Sequence, residues 1–215
     1  MANALIAFEG DSRTVDNKLW AGRVVDYCSR QYGITFNYLN NAVNGSAIST
    51  LAARAAALDA QIIADVANIL VVWAGVGSSS LESGAAIHTE LAAYCGARQT
   101  AGWYVVVCTD VDAQHECKIA DGWPAKYLDY NTLIRANYTT YADKLVDLGA
   151  VPQLQDASNT FWFPDLLHLS NEGYYAVQTE VLSVLAGGIP AHISLMTRLE
   201  AMGLITDTTT FSIGA

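Results

Sequence analysis

Along the chain, short uninterrupted apolar runs alternate with longer stretches whose apolar residues recur every three to four positions. Runs at Ala4–Phe8, Asn68–Val76 and Trp103–Val111 carry almost no polar interruption, the pattern of parallel strands covered on both faces. A less regular run covers Thr35–Val43, and a weaker one lies near Ala150–Gln155. Helical periodicity covers Asn17–Gln31, Ala47–Ala64, Glu82–Thr100, Tyr127–Leu148 and Asn171–Ala186. Gly187 and Gly188 then act as a stop signal.

Strands and helices in strict alternation predict a three-layer α/β/α sandwich around a five-stranded, mostly parallel sheet. Right-handed crossovers would put helices on both faces. Residues 1–188 form the predicted domain. Residues 189–215 read as an extension, with an amphipathic pattern in "AHISLMTRLEAMG" followed by an extended tail. That extension invites homo-oligomer or tail-type assembly, or simple fraying. No internal repeat occurs, and "GSSSLESGA" reads as a mobile loop after the third strand.

Composition narrows the class. The 215 residues are 52% hydrophobic and 15% charged, as expected of a packed globular chain. A net charge of −10, from 21 acidic and 11 basic side chains with no Lys/Arg cluster, disfavours a phosphate backbone as partner. The stretch "ANILVVWAGVG" is too short to span a bilayer, and no basic region precedes an apolar segment at the N-terminus. These features predict a soluble chain with no visible export signal and no membrane insertion. Four cysteines have irregular spacing. Cys28 and Cys95 fall in predicted helices as core residues, while Cys108 and Cys117 flank a loop and read as free thiols unless the compartment is oxidising.

In open parallel sheets, ligands bind beyond the carboxyl ends of the strands. Gly10-Asp11-Ser12, Asn44-Gly45, Gly75–Ser78 and Asp110–Asp112 all follow predicted strands and should converge there. A serine hydroxyl attacks only if a base takes its proton and a third group orients that base. Of His88, His115, His168 and His192, the first and last read as surface or packing residues. His168 stands three positions after Asp165 on a turn entering the last helix, so the carboxylate can reach the imidazole. A capping pair at that turn is the plainer reading of the same spacing.

These residues resemble the SGNH (GDSL-type) serine hydrolases, esterases and lipases on a flavodoxin-like α/β/α sandwich. Gly10-Asp11-Ser12 matches the family's first block and "NNAVNGSAIST" its second. Asp165-Leu166-Leu167-His168 matches its last. The resemblance implies Ser12 as nucleophile, His168 as general base and Asp165 as its orienting acid. It also implies an oxyanion hole from the N–H groups of Ser12 and Gly45. No cofactor or metal is implied. The substrates implied are short acyl esters, often acetyl groups on carbohydrates, with lysophospholipase or thioesterase activity as the nearest alternative.

The third block departs from the family pattern Gly-x-Asn-Asp, because Gly77 stands at the Asn position and carries no side-chain donor. Asn44 or Ser78 is the candidate replacement, and Gly77→Asn is expected to raise turnover if a donor is missing. Slower turnover on the two backbone donors alone is a second account, and loss of catalysis, with retention of a glycan-binding or structural role, is a third. Asp11, Gly77, Trp123 and Trp162 are further candidates for contact with substrate. Trp123, Tyr127, Trp162 and Phe163 all fall in predicted loops at the catalytic edge. For Trp162 and Phe163, packing behind the Asp165 turn is the plainer expectation. "CTDVDAQHEC" gathers Cys108, Asp110, Asp112, His115 and Cys117, but its spacing fits neither zinc nor calcium loops and it reads as a solvated active-site loop. A single domain with a C-terminal extension also resembles modules of phage tail proteins, which leaves a cytoplasmic or virion-associated setting open.

Overall fold

The computed structural model describes residues 4–33 and 35–188. Five strands are β1 (Ala4–Gly10), β2 (Phe36–Asn40), β3 (Ala67–Trp73), β4 (Tyr104–Cys108) and β5 (Lys144–Val146). Six α-helices join them: α1 (Trp20–Tyr32), α2 (Ile48–Asp59), α3 (Gly84–Ala101), α4 (Glu116–Ala120), α5 (Trp123–Asn137) and α6 (Asn171–Gly188). The sheet runs β2-β1-β3-β4-β5, and every neighbouring pair is parallel. This is the flavodoxin-type order, with its switch point between β1 and β3.

The apolar runs form strands because the sheet is covered on both sides. Ile6, Phe8, Ile69, Val71 and Val106 face one core with Trp20, Val24, Val177 and Val181 from α1 and α6. Their sequence neighbours Leu5, Ala7, Leu70, Val72 and Val107 face a second core with α2, α3 and α5. A period of two thus divides each run between two helical layers. Cys28 and Cys95 are buried in these cores as expected.

Four expectations need correction. The last strand is Lys144–Val146, inside the segment read as the end of a long helix, while 150–155 holds 3-10 turns at Leu148–Ala150 and Pro152–Leu154. Helix α5 stops at Asn137, where Tyr138, Thr139 and Thr140 turn the chain. Trp123 is not in a loop at the catalytic edge: it opens α5, is fully buried, and stacks on Tyr127. The segment after β4 is not solvated either. Thr109, Asp110, Val111, Asp112 and Ala113 are buried, Gln114 and His115 are half-buried, and full exposure begins at Glu116 of α4. The extension at 189–215 lies outside the described residues.

Candidate active site

The carboxyl ends of β1 and β3 deliver the first components. Strand β1 is buried from Ala4 to Gly10, and the chain turns directly after it, with the Thr14 N–H donating to the Asp11 carbonyl at 3.0 Å. Ser12 thereby emerges half-buried at the strand tip, between the buried side chains of Asp11 and Arg13.

After β2 a turn closes with the Ser46 N–H donating to the Val43 carbonyl at 3.2 Å. Its third residue, Gly45, has φ +70°, a left-handed conformation that favours glycine. Ser12, Asn44, Gly45, Val76, Gly77, Leu167 and His168, with Lys18, Lys118 and Asp11, line a pocket of about 450 Å³. Among the described residues, the N–H groups of Ser12 and Gly45 donate to no protein acceptor, so both remain available to a ligand in that pocket.

The turn before α6 is organised by one carboxylate. Asp165 Oδ1 accepts the N–H groups of Leu167 at 3.0 Å and His168 at 2.6 Å, while Oδ2 meets His168 Nδ1 at 2.7 Å. The opposite ring nitrogen, Nε2, lies 2.8 Å from Ser12 Oγ, 156 residues away in sequence. Asp165 is thus both the turn former of the capping reading and the partner of the imidazole. Partial burial pushes its pKa up. The hydrogen bonds from the His168 ring and from the His168 and Leu167 N–H groups outweigh that effect, leaving its pKa below the ordinary value. The Ser170 hydroxyl then accepts the Gly173 N–H and caps α6.

Asp11 behaves differently. Its carboxyl is buried, and burial together with the nearby Asp110 raises its pKa to about 6, against the pull of Arg13 and the N–H groups of Arg13 and Gly77. It lines the pocket while being almost fully buried.

Gly77 has a steric reason. A side chain there would drive its Cβ into the Ser46 carbonyl oxygen and within 2.7 Å of the carbonyl carbon, so the β3 tip and the turn after β2 touch backbone to backbone. An asparagine cannot stand at this position without moving that turn. Ser78 is buried and does not line the pocket; its Oγ accepts the Ile48 N–H at 2.9 Å and caps α2. Asn44 is exposed on the pocket wall, its side chain uncommitted among the described residues. Trp162 faces a separate groove with Tyr175 and Glu172, and Phe163 is fully buried in the core.

Sequence reasoning missed a buried ion pair beside the nucleophile, Arg13 Nη1 to Asp110 Oδ1 at 2.7 Å. Each residue looks like an ordinary surface charge in its local context. The sole hint is that both lie directly beyond apolar runs, where strand tips meet. Among the described residues, no group of three or more His, Cys, Asp or Glu is arranged to hold a metal ion. Cys108 is a buried free thiol, and Cys117, also free, is exposed on α4.

No family model matches the chain, and no curated protein sequence does. Solved structures do match. A member of the lipolytic G-D-S-L family from Veillonella parvula superposes with a TM-score of 0.67 at 16% identity, covering 85% of this chain and 98% of the other. Axe2, an acetylxylan esterase from Geobacillus stearothermophilus, gives 0.66 at 13% identity, covering 85% and 94%. The acetyl xylan esterase AlAXEase gives 0.61 at 18% identity, covering 84% and 99%. Strand order, the placement of Gly10-Asp11-Ser12 after β1 and these superpositions agree: the chain has the fold of the SGNH (GDSL-type) hydrolases.

Proposed function

We propose that the protein is a serine esterase that hydrolyses short acyl esters, acetyl groups on carbohydrates foremost. The observation that carries the reading is the continuous relay Ser12 Oγ, His168 Nε2, His168 Nδ1, Asp165 Oδ2, with contacts of 2.8 and 2.7 Å. With Nδ1–H donating to the carboxylate, Nε2 holds a lone pair aimed at the hydroxyl hydrogen.

Ser12 Oγ attacks the ester carbonyl carbon as its proton passes to His168 Nε2. The resulting imidazolium is stabilised by Asp165, whose low pKa keeps it ionised. The carbonyl oxygen, now negative, takes the free N–H groups of Ser12 and Gly45, with the Asn44 amide at the same rim. Nε2 returns the proton to the leaving alcohol oxygen as the C–O bond breaks. Water then enters and its oxygen bonds to the acyl carbon as its proton passes to Nε2; Nε2 gives that proton to Ser12 Oγ as the acyl C–O bond breaks, and the carboxylic acid leaves. This sequence needs no metal ion or cofactor. A pocket of about 450 Å³ suits a short acyl group, and two of the superposable proteins are acetylxylan esterases.

A second reading, a non-catalytic glycan-binding or structural module, draws on the missing side-chain donor at Gly77. Hydrolysis of p-nitrophenyl acetate and of acetylated xylo-oligosaccharides by wild type and Ser12→Ala decides between them. Esterase action predicts a drop on the order of 10⁴-fold or more in the variant. Equal background rates in both proteins would favour the second reading.

A further inference from the structure

The Asp165–His168 contact is internal to one turn, whereas the catalytic geometry requires that turn to sit at a fixed distance from Ser12. The turn alone cannot supply this. Leu166, between the acid and the base, has φ +62°, a strained conformation for a branched residue. Two sets of contacts from outside hold the turn just before His168. The Leu166 carbonyl accepts the N–H groups of Gln114 and His115 at 2.8 and 3.0 Å. The Leu167 carbonyl accepts Arg13 Nε at 3.1 Å. Only the second contact reaches the β1 side of the pocket, and it comes from the residue directly after Ser12.

Arg13 is fully buried, and its guanidinium is committed elsewhere by Asp110 at 2.7 Å and by the carbonyls of Val111 at 3.3 Å and Asp112 at 2.9 Å. Asp110, also buried, further accepts the Val76 N–H at 2.8 Å and the Trp73 indole N–H at 3.2 Å. One ion pair therefore joins the tips of β1, β3 and β4 to the residue preceding His168. A planar fork with fixed donor directions transmits distance in a way a single ammonium cannot.

The geometry points to Arg13 as a positioning residue: braced by Asp110, it sets the separation between Ser12 and His168 through the Leu167 carbonyl. The inference rests on the esterase reading for its kinetic test, and a structural readout stands apart from it.

Arg13→Lys keeps the charge beside Asp110 but loses the fork. Its crystal structure should show Ser12 Oγ and His168 Nε2 separated beyond hydrogen-bond reach while the Asp165–His168 bond persists. With p-nitrophenyl acetate, kcat should fall roughly 10- to 100-fold, the scale of an ångström of misplacement, with KM nearly unchanged. Arg13→Met/Asp110→Asn removes both charges together, which spares the fold an unpaired buried ion, and should give the same two results. An unchanged Ser12–His168 contact with wild-type kcat in either folded variant overturns the inference. Failure of both variants to fold also overturns it, because the pair would then serve stability alone. If Ser12→Ala matches wild type in rate, the esterase reading falls, and the separation measured in Arg13→Lys still decides the role of Arg13.

Discussion

Gly77 is the residue whose meaning changes most between sequence and structure. As a letter in a motif it marks a lost hydrogen-bond donor. In space it lets the β3 tip lie against the Ser46 carbonyl, in a gap that no side chain can share. Replacing it with asparagine would therefore not restore a donor but push apart two walls of the pocket. Even Gly77→Ala should lower stability by about 1–3 kcal/mol, as overpacking does. Denaturant melts would register this as a reduced midpoint, and p-nitrophenyl acetate turnover should fall rather than rise. Ser12, Asp165 and His168 were legible in the sequence because each lies in a short contiguous block with recognisable spacing. The pairing of Arg13 with Asp110 was not, since 97 positions separate them and nothing local distinguishes a buried charge from a solvated one.

At the scale of elements, legibility followed burial. β1, β3 and β4 lie between two helical layers and leave uninterrupted apolar runs. β5 is three residues long and α4 five, too short for any periodicity to emerge. Glu9, a charge within a fully buried strand, escaped the same pattern for a related reason. Its carboxylate is satisfied from other elements: Arg54 of α2 at 2.6 Å, Asn41 at 2.7 Å and Tyr94 of α3 at 3.2 Å. Burial raises its pKa against these partners. Arg54 thus clamps α2 to β1, with a further bond to Ser46 Oγ at 3.0 Å that steadies the turn carrying Gly45. Arg54→Met should cost about 3 kcal/mol, because it strands a buried carboxylate. Arg54→Met/Glu9→Gln should recover much of that loss in the same urea titration, and an additive double variant would refute the clamp.

Stability of the whole molecule carries the mark of Asp11. Its folded pKa of about 6 lies above the ordinary 3.8, so between roughly pH 4 and 6 the folded state binds more protons than the unfolded one. The contribution of this group is therefore most favourable in acid. It declines as pH rises to about 6, and the cost above that is on the order of 3 kcal/mol. Asp165, with its pKa lowered, acts in the opposite sense and at lower pH: its stabilisation is present above the ordinary value and lost only in stronger acid. Urea midpoints of wild type and Asp11→Asn at about pH 4.5 and about pH 7.5 should show the variant gaining relative to wild type at the higher value. An equal difference at both pH values would remove Asp11 as the source.

The sheet's two margins have a consequence for the molecule among its own copies. β2 presents Asn37, Tyr38 and Asn40 on an edge only five residues long, and β5 offers three residues beginning with a lysine. Among the described residues, borders this short give a stray strand little to zip onto, which disfavours edge-to-edge pairing between copies and cross-β aggregation.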